Sequence, residues 1–220
     1  MNKLLLVLLI LLLSKSAIAE EDRTLTAISG LAGSILVHEG GHALTVWSLG
    51  GEVQRFRPFP SRIEVQNPDG SSKKMWVGGY VMRGPIGEAD STRQKLGNAL
   101  VPAMGSGMNA LAVLIFAPML PGMKANFATS SLNQMLVIGS LDWPAYALGD
   151  ALFSNSPLGD WKAVARATGV SIYWYVAAGI ASAVLLNRYL DHFQNEAVDR
   201  GTLPVSQARV STIGLNFSFE

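Results

Sequence analysis

HEGGH, the segment from His38 to His42, decides how this sequence is interpreted, because it puts two imidazoles and a carboxylate inside an apolar stretch. Residues four apart on a helix share one face, with their Cβ atoms about 5–6 Å apart. Both rings can therefore bind one ion. The spacing predicts a zinc site held by His38 and His42, with Glu39 as the general base for a zinc-activated water.

The residues around this segment predict a membrane-spanning helix from about Thr24 to Leu49. This stretch has no Lys or Arg, and Glu39 is its one acidic residue. An ionised side chain in the hydrocarbon region costs about 2.5–3.5 kcal/mol on insertion scales, so such a residue marks a functional site by default. HExxH also occurs by chance, and a structural membrane protein with an accidental motif is the alternative that this context disfavours.

The composition favours a helical membrane bundle over a soluble domain. Of the 220 residues, 49% are hydrophobic and 15% charged, whereas soluble domains have about 25% charged residues. The net charge of +1 predicts no nucleic-acid partner. The absence of cysteine excludes disulfides and thiolate ligands, so a metal must use nitrogen and oxygen ligands.

Residues 1–19 predict a secretory signal peptide. Lys3 gives a positive start, Leu4–Leu13 is a short apolar run, and a small residue, Ala19, precedes the expected cut. Cleavage there would leave Glu20 outside the cytoplasm, and an uncleaved N-terminal anchor is the alternative. This style of signal indicates a bacterial inner membrane.

The predicted fold is an all-α membrane bundle of about four spans, with a small β-hairpin or sheet between the first and second. The expected domain covers residues 20–190, followed by a polar tail, 191–220, whose end alternates like a strand. Short alternating stretches around the turn signal Asn67–Gly70 predict the hairpin. The four spans are expected at about Thr24–Leu49, Leu96–Leu120, Leu132–Phe153 and Val170–Leu186.

Basic residues predict the orientation of these spans. By the positive-inside rule, loops rich in Lys and Arg are cytoplasmic. This puts the C-terminal end of the first helix, and with it the active site, towards the cytoplasmic side. The basic residues between the first two spans, and then those after the third, are Arg55, Arg57, Arg62, Lys73, Lys74, Arg83, Arg93, Lys95, Lys162 and Arg166.

A catalytic zinc ion needs a third protein ligand and an open position for water. Because His192 lies in the polar tail, the candidates are Asp142, Asp150 and Asp160. Asp142 is mid-span, which is the wrong depth for a site near the cytoplasmic half. Asp150, near the end of the third span, and Asp160, at a loop-to-helix junction, are at a suitable depth. Asp150 could instead cap a helix or pair with a loop base.

HEGGH resembles the HExGH signature of the site-2 protease family of intramembrane zinc metalloproteases. Two later segments resemble that family's motifs in the same order. GSGMN, Gly105–Asn109, is similar to GPxxN, with Ser106 where Pro is usual. SNSPLGDW, Ser154–Trp161, is similar to the Asn-x-x-Pro…Leu-Asp-Gly stretch that supplies the third zinc ligand, with Leu-Gly-Asp in place of Leu-Asp.

This resemblance implies hydrolysis of peptide bonds in a membrane-embedded protein substrate. It makes Asp160 the third zinc ligand, with Asp150 as the alternative, and gives Asn109 a role in holding substrate. It also implies that the β segment offers an edge strand, which can pair with the backbone of an unwound substrate helix. The alternative function is a non-catalytic metal-binding protein or a regulatory subunit of the same fold.

Overall fold

The computed structural model describes residues 20–66, 70–77, 79–152 and 159–208 of the chain. The predicted signal peptide and the strand-like end of the tail, 209–220, lie outside the described residues. The described part is mostly helical and carries a small amount of antiparallel β structure.

The long helices in this part of the chain lie close to the predicted apolar spans. The helices are α1 (Glu20–Ser48), α2 (Thr92–Phe116), α3 (Phe127–Leu152), α4 (Asp160–Thr168), α5 (Ile172–Asp199) and α6 (Val205–Ala208). A 3₁₀ turn, Ala117–Gly122, follows α2 directly. The strands are β1 (Val53–Arg57), β2 (Ser61–Gln66), β3 (Ser72–Val77) and β4 (Tyr80–Arg83).

The β segment between α1 and α2 is made of two antiparallel pairs. Strands β2 and β3 pair with each other, with Ile63 opposite Met75, while residues 67–69 of the predicted turn lie outside the described residues. Strands β1 and β4 form the other pair, with Phe56 opposite Val81. The prediction of a small β segment between the first two helices is therefore confirmed.

Helix α1 packs against both α2 and α3, and small residues permit the close approach. A Cβ atom at Gly41 would lie 2.2 Å from the backbone oxygen of Met104 on α2. A Cβ atom at Gly30 would lie 2.6 Å from the side chain of Gln134 on α3. Gly40, in contrast, has no described atom within 4 Å of such a Cβ. Of the two glycines in HEGGH, Gly41 is therefore the one that the packing of α1 against α2 requires.

The main apolar core lies between α2, α3 and α5, and it extends beyond the predicted domain boundary. Leu136 on α3 and Leu190 on α5 are fully buried in it. Helix α5 continues without a break past residue 190, and Ala197 near its end is also buried in this core. The first part of the predicted polar tail is therefore packed into the bundle.

Large apolar side chains face outwards on the long helices while polar ones are buried. Trp47 on α1 is 73% exposed and Leu185 on α5 is 67% exposed. Among the described helices, the continuous helical stretch Thr92–Gly122 is long and apolar enough to cross a membrane, with a mean hydropathy of 1.7. The prediction of four spanning helices is not confirmed and stays a proposal.

Candidate metal centre

Helix α1 holds His38, Glu39 and His42 together in the interior, where each is less than a tenth exposed. The two imidazole rings are edge to face, with centroids 4.7 Å apart. One ligand atom from each of the three residues lies within 4.8 Å of the others. This group can hold a metal ion.

Asp160, the first residue of α4, joins the two histidines. Its Oδ2 atom lies 3.1 Å from Nε2 of His38 and 3.4 Å from Nε2 of His42. Ligands at about 2.0–2.2 Å from a tetrahedral ion are about 3.3–3.5 Å from one another. The distance from Asp160 to His42 has this spacing and the distance to His38 is slightly shorter, so Oδ2 of Asp160 lies close enough to both imidazoles to share a small cation with them. The side chain of Asp160 is 27% exposed, so the described residues do not fully enclose this side of the centre.

The outer ring nitrogens fix which tautomer each histidine adopts. Nδ1 of His38 donates to Oδ2 of Asp142 at 3.0 Å, and Nδ1 of His42 donates to the backbone oxygen of Val101 at 2.6 Å. Because both acceptors lack a proton to give, each Nδ1 carries a hydrogen, and in a neutral ring each Nε2 keeps its lone pair. A bound metal ion would then satisfy both lone pairs and the Asp160 carboxylate, and a proton on Nε2 is the alternative partner for that carboxylate.

The electrostatic surroundings of Asp160 suit a ligand. Burial would raise the pKa of its carboxyl group, but the adjacent His42 and His38 outweigh that effect and hold the pKa well below its usual range. The carboxylate is therefore ionised at neutral pH, as metal binding requires.

Asp142 lies at a different depth from the one that the sequence indicated. His38 lies ten residues before the end of α1 at Ser48, and Asp142 lies ten residues before the end of α3 at Leu152. Helix α3 begins at Phe127 rather than near residue 132, so Asp142 lies past its midpoint, level with the histidines. An acidic residue within an apolar helix was the signal that could have revealed it.

Asp150, the alternative third ligand, belongs to the last turn of α3, and its side chain reaches the N-terminus of α4. Its Oδ2 atom accepts hydrogen bonds from the backbone nitrogens of Trp161 at 2.9 Å and Lys162 at 3.4 Å. Gly159, at the N-cap position, has no side chain to do this, and its backbone packs directly on the Asp150 carboxylate. Asp150 thus caps α4 in place of a local residue, and the cap holds Asp160 at the start of the helix.

The β segment reaches the centre at Glu39. A Cβ atom at Gly79, just before β4, would lie 2.6 Å from Oε1 of Glu39. The other carboxylate oxygen, Oε2, is buried and has no hydrogen-bond partner among the described residues. The carboxylate therefore lies between the histidines and the β segment, with one oxygen unengaged by the chain described.

Gly105 on α2 lies directly beneath the imidazoles. A Cβ atom there would be 2.5 Å from both Nε2 of His38 and Cε1 of His42. The motif resemblance covers the segment Gly105–Asn109, but it gave no role to this glycine. Its role is steric, since any side chain would occupy the space where the ring nitrogens converge.

Asn109 lies one turn beyond Gly105 on the same helix, in a fully buried position. Its Nδ2 atom donates to the hydroxyl of Ser34 on α1 at 3.2 Å. Its Oδ1 atom has no partner within the described part of the chain. Asn109 thus joins α2 to α1 one helical turn away from the centre, and one of its acceptor atoms has no partner among the described residues.

Comparison with known proteins identifies no relative. No protein-family model matches the chain, and neither a curated protein nor a solved structure matches it. The resemblance to site-2 proteases stays a prediction carried by HEGGH and the two later segments.

Proposed function

We propose that this protein is an intramembrane zinc metalloprotease that hydrolyses peptide bonds of membrane-embedded proteins. The observation that carries the proposal is the convergence of His38, His42 and Asp160, with the two Nε2 atoms 3.1 and 3.4 Å from Oδ2 of Asp160. Glu39 stands beside this point.

Zinc fits this set of ligands better than the other common ions. Two imidazole nitrogens and one carboxylate oxygen match a catalytic zinc site, which has three protein ligands and one open position. Magnesium and calcium prefer sites built from oxygen alone. When bound, zinc polarises a carbonyl and lowers the pKa of coordinated water to about 7.

Glu39 is proposed as the general base and acid. One of its oxygens takes a proton from the attacking water as the new C–O bond forms, and the carboxyl group then gives that proton to the leaving amine nitrogen as the C–N bond breaks. Its buried and unpartnered Oε2 atom supports this role, because no described residue competes for it. A purely structural carboxylate at this depth would be expected to have a partner.

The arrangement of polar and apolar side chains supports a membrane location. A soluble protein seldom exposes large apolar patches, whereas lipid-facing helices do so along their length. We propose that α1, α2, α3 and α5 are the four spans, with the metal centre towards the cytoplasmic side of a bacterial inner membrane. Exposed apolar residues on these helices include Ile28, Leu36, Leu114, Ile115, Leu148, Tyr173 and Trp174.

The β segment is proposed to receive the substrate. A membrane helix hides its peptide bonds, so cleavage requires local unwinding, and an edge strand satisfies the exposed backbone groups. Each described strand pairs with a single partner, which leaves the outer edge of each pair available. The contact of Gly79 with Glu39 supports this role, because it brings the start of β4 to the proposed base.

The test is metal content and proteolysis of the purified protein in detergent. Wild type is expected to hold one zinc ion per chain and to cut a single-pass model substrate. Glu39→Gln should keep zinc and lose cleavage, whereas His38→Ala and Asp160→Ala should lose both. Comparing zinc content with cleavage in each variant therefore distinguishes the proposed ligands from the proposed base.

Two outcomes would overturn this assignment. Wild-type protein without stoichiometric zinc would mean that HEGGH is accidental. Stoichiometric zinc with cleavage that does not depend on Glu39, or with none at all, would instead favour the non-catalytic metal-binding protein.

A further inference from the structure

We infer that Asp142 is a positioning residue, which holds His38 in the tautomer and orientation needed to bind the metal ion. This inference rests on the proposed zinc site. The supporting contact is the hydrogen bond from Nδ1 of His38 to Oδ2 of Asp142, 3.0 Å long and buried. The two residues are 104 positions apart and belong to different helices.

The burial of Asp142 requires a compensating partner. The residue is 8% exposed, and an ionised carboxylate in such surroundings is costly unless it is paired and hydrogen-bonded. Among the described residues, its partner is His38. The cost of burying this carboxylate is therefore offset at the ring of a proposed ligand, which points to a role for the charge at that ring.

The bond determines which nitrogen faces the metal centre. A hydrogen on Nδ1 is directed at Asp142, so a neutral ring, which metal binding requires, presents the lone pair of Nε2 towards Asp160. In the other tautomer the hydrogen would lie on Nε2 and would compete with a metal ion for that position. Outer partners of this kind fix ring orientation and raise the basicity of a ligand.

Tyr146, one helical turn after Asp142 on α3, supports the same ring. Its ring stacks on that of His38, with centroids 4.6 Å apart and planes 22° apart. Asp142 thus fixes the rotation of the imidazole within its plane, and Tyr146 fixes the plane itself. One face of α3 holds His38 by both contacts.

The two histidines differ in the strength of this support. His42 donates to the backbone oxygen of Val101, which is uncharged, whereas His38 donates to a carboxylate. Charged acceptors make the stronger hydrogen bonds. Removing Asp142 should therefore weaken metal binding through His38 and leave the support of His42 unchanged.

The experiment compares Asp142→Ala and Asp142→Asn with wild type in full-length protein purified in detergent. Zinc affinity is measured by competition with a chelator, and cobalt is used as a probe because its absorption spectrum reports ligand geometry. Asp142→Ala should bind zinc about 10–100-fold more weakly and show an altered cobalt spectrum. Asp142→Asn loses the charge, and its amide nitrogen can donate to Nδ1 and favour the wrong tautomer, so its zinc affinity should also stay below that of wild type.

The matched control is Ser140→Ala, a buried residue on the same helix. Its hydroxyl donates to the backbone oxygen of Val137 and lies 3.2 Å from Oδ1 of Asn187, away from the histidines. This variant should keep wild-type zinc affinity and cobalt spectrum. If it weakened zinc as much as Asp142→Ala did, a general effect on the helix would replace the positioning role.

The failure of this inference can be told apart from failure of the proposed function. If wild type binds zinc and Asp142→Ala binds it equally well, Asp142 has no positioning role and the zinc site stands. If Asp142→Ala shows the wild-type cobalt spectrum, the hydrogen bond is not what orients His38. If wild type binds no zinc, the site and this inference fail together.

Discussion

Helix α3 contributes to two buried polar clusters that differ in chemistry. The metal cluster consists of His38, His42, Asp142 and Asp160. The amide cluster consists of Asn133, Gln194 and Gln207. In the amide cluster, Nε2 of Gln194 donates to Oδ1 of Asn133 at 2.7 Å, and Nδ2 of Asn133 donates to the backbone oxygen of Gln207 at 3.5 Å. In these two bonds every donor meets an acceptor.

The metal cluster has a different chemistry. Its inward-facing atoms are Nε2 of both histidines and the carboxylate of Asp160, and in neutral rings all three are acceptors. The amide cluster joins α3 to α5 and the C-terminal segment through neutral groups, and Oε1 of Gln207 is buried there without a hydrogen-bond partner among the described residues. Two imidazole nitrogens and a carboxylate oxygen are the ligand set of a cation site, whereas amide side chains are not.

The largest effect is expected from Gly105→Ala. The new Cβ atom would lie 2.5 Å from Nε2 of His38, which is too close to be relieved without moving the ring. Because metal sites tolerate misplacement of only about 0.5 Å, zinc affinity should fall by roughly 100-fold or more. Chelator competition on the purified variant measures this.

Gly107→Ala is the control for this substitution, on the same helix. Its Cβ atom would meet the flexible end of Met104, with Sδ at 3.2 Å, and that side chain can move aside. This variant should bind zinc like wild type. Unchanged zinc affinity in Gly105→Ala would mean that the imidazoles do not converge above α2.

The next largest effect is expected from Gln194→Ala in the amide cluster. It removes the donor to Asn133, so a fully buried acceptor loses a partner. The free energy of unfolding should fall by about 1–3 kcal/mol, while zinc stoichiometry stays at the wild-type value. Thermal unfolding in detergent, followed with a metal assay, separates the two quantities.

A double substitution sharpens this result. Replacing Asn133 and Gln194 together with Leu removes both partners of the 2.7 Å bond, and such paired replacements can be nearly neutral. The remaining cost is the loss of the long 3.5 Å bond from Asn133 to the backbone oxygen of Gln207. The double variant should therefore be more stable than Gln194→Ala. Loss of zinc from either variant would show that the amide cluster supports the metal centre. The two clusters would then not have independent roles.

A smaller effect on catalysis is expected from Gly79→Ala. Its Cβ atom would lie 2.6 Å from Oε1 of Glu39 and push the carboxylate, but it touches no proposed ligand. Cleavage should slow by about tenfold, which corresponds to roughly 1.4 kcal/mol in the barrier, and zinc content should not change. Gly84→Ala, whose Cβ would make an ordinary contact of 3.4 Å with Gln54, is the control and should cut at the wild-type rate. If Gly79→Ala cleaved at the wild-type rate, Gly79 would not be in contact with Glu39.

Much of the metal centre could be predicted from local sequence. The spacing of His38 and His42 depends on helix geometry alone, and an acidic residue between them in an apolar stretch marks a functional site. The small β segment was predictable because its strands flank a strong turn signal. Asp160 was reachable through the order of the motifs, although the chemistry of the residues left Asp150 equally open.

The supporting contacts could not be predicted, because they depend on how separate helices meet. The depth of Asp142 depends on where α3 begins, and the start of this helix at Phe127 moves an acidic residue from mid-helix to the level of His38. The partner of His42 is a backbone oxygen, that of Val101, which has no signature in sequence. The steric role of Gly105 could not be predicted because it depends on the distance between α1 and α2.

The smallest effect is expected from Asp150→Ala. This variant tests whether a buried carboxylate near the metal cluster is a metal ligand or a helix cap. Asp150 is buried and acidic like the metal cluster, but its carboxylate accepts from the backbone nitrogens of Trp161 and Lys162. If Asp150 is a cap, its loss should cost about 0.5–2 kcal/mol of stability and leave zinc bound, because His38, His42 and Asp160 remain.

Asp150→Asn distinguishes a cap from a ligand. Asn is as good a cap as Asp, so this variant should recover most of the lost stability in thermal unfolding. A neutral amide is a poor substitute for a carboxylate ligand, so a ligand role would leave zinc affinity low in both variants. Weak zinc binding by folded Asp150→Asn, together with tight binding by Asp160→Asn, would transfer the third ligand to Asp150. Asp160, at the start of α4, would then be a solvent-facing residue without a metal-binding role. The buried Asp150 carboxylate would be a metal ligand and not a helix cap.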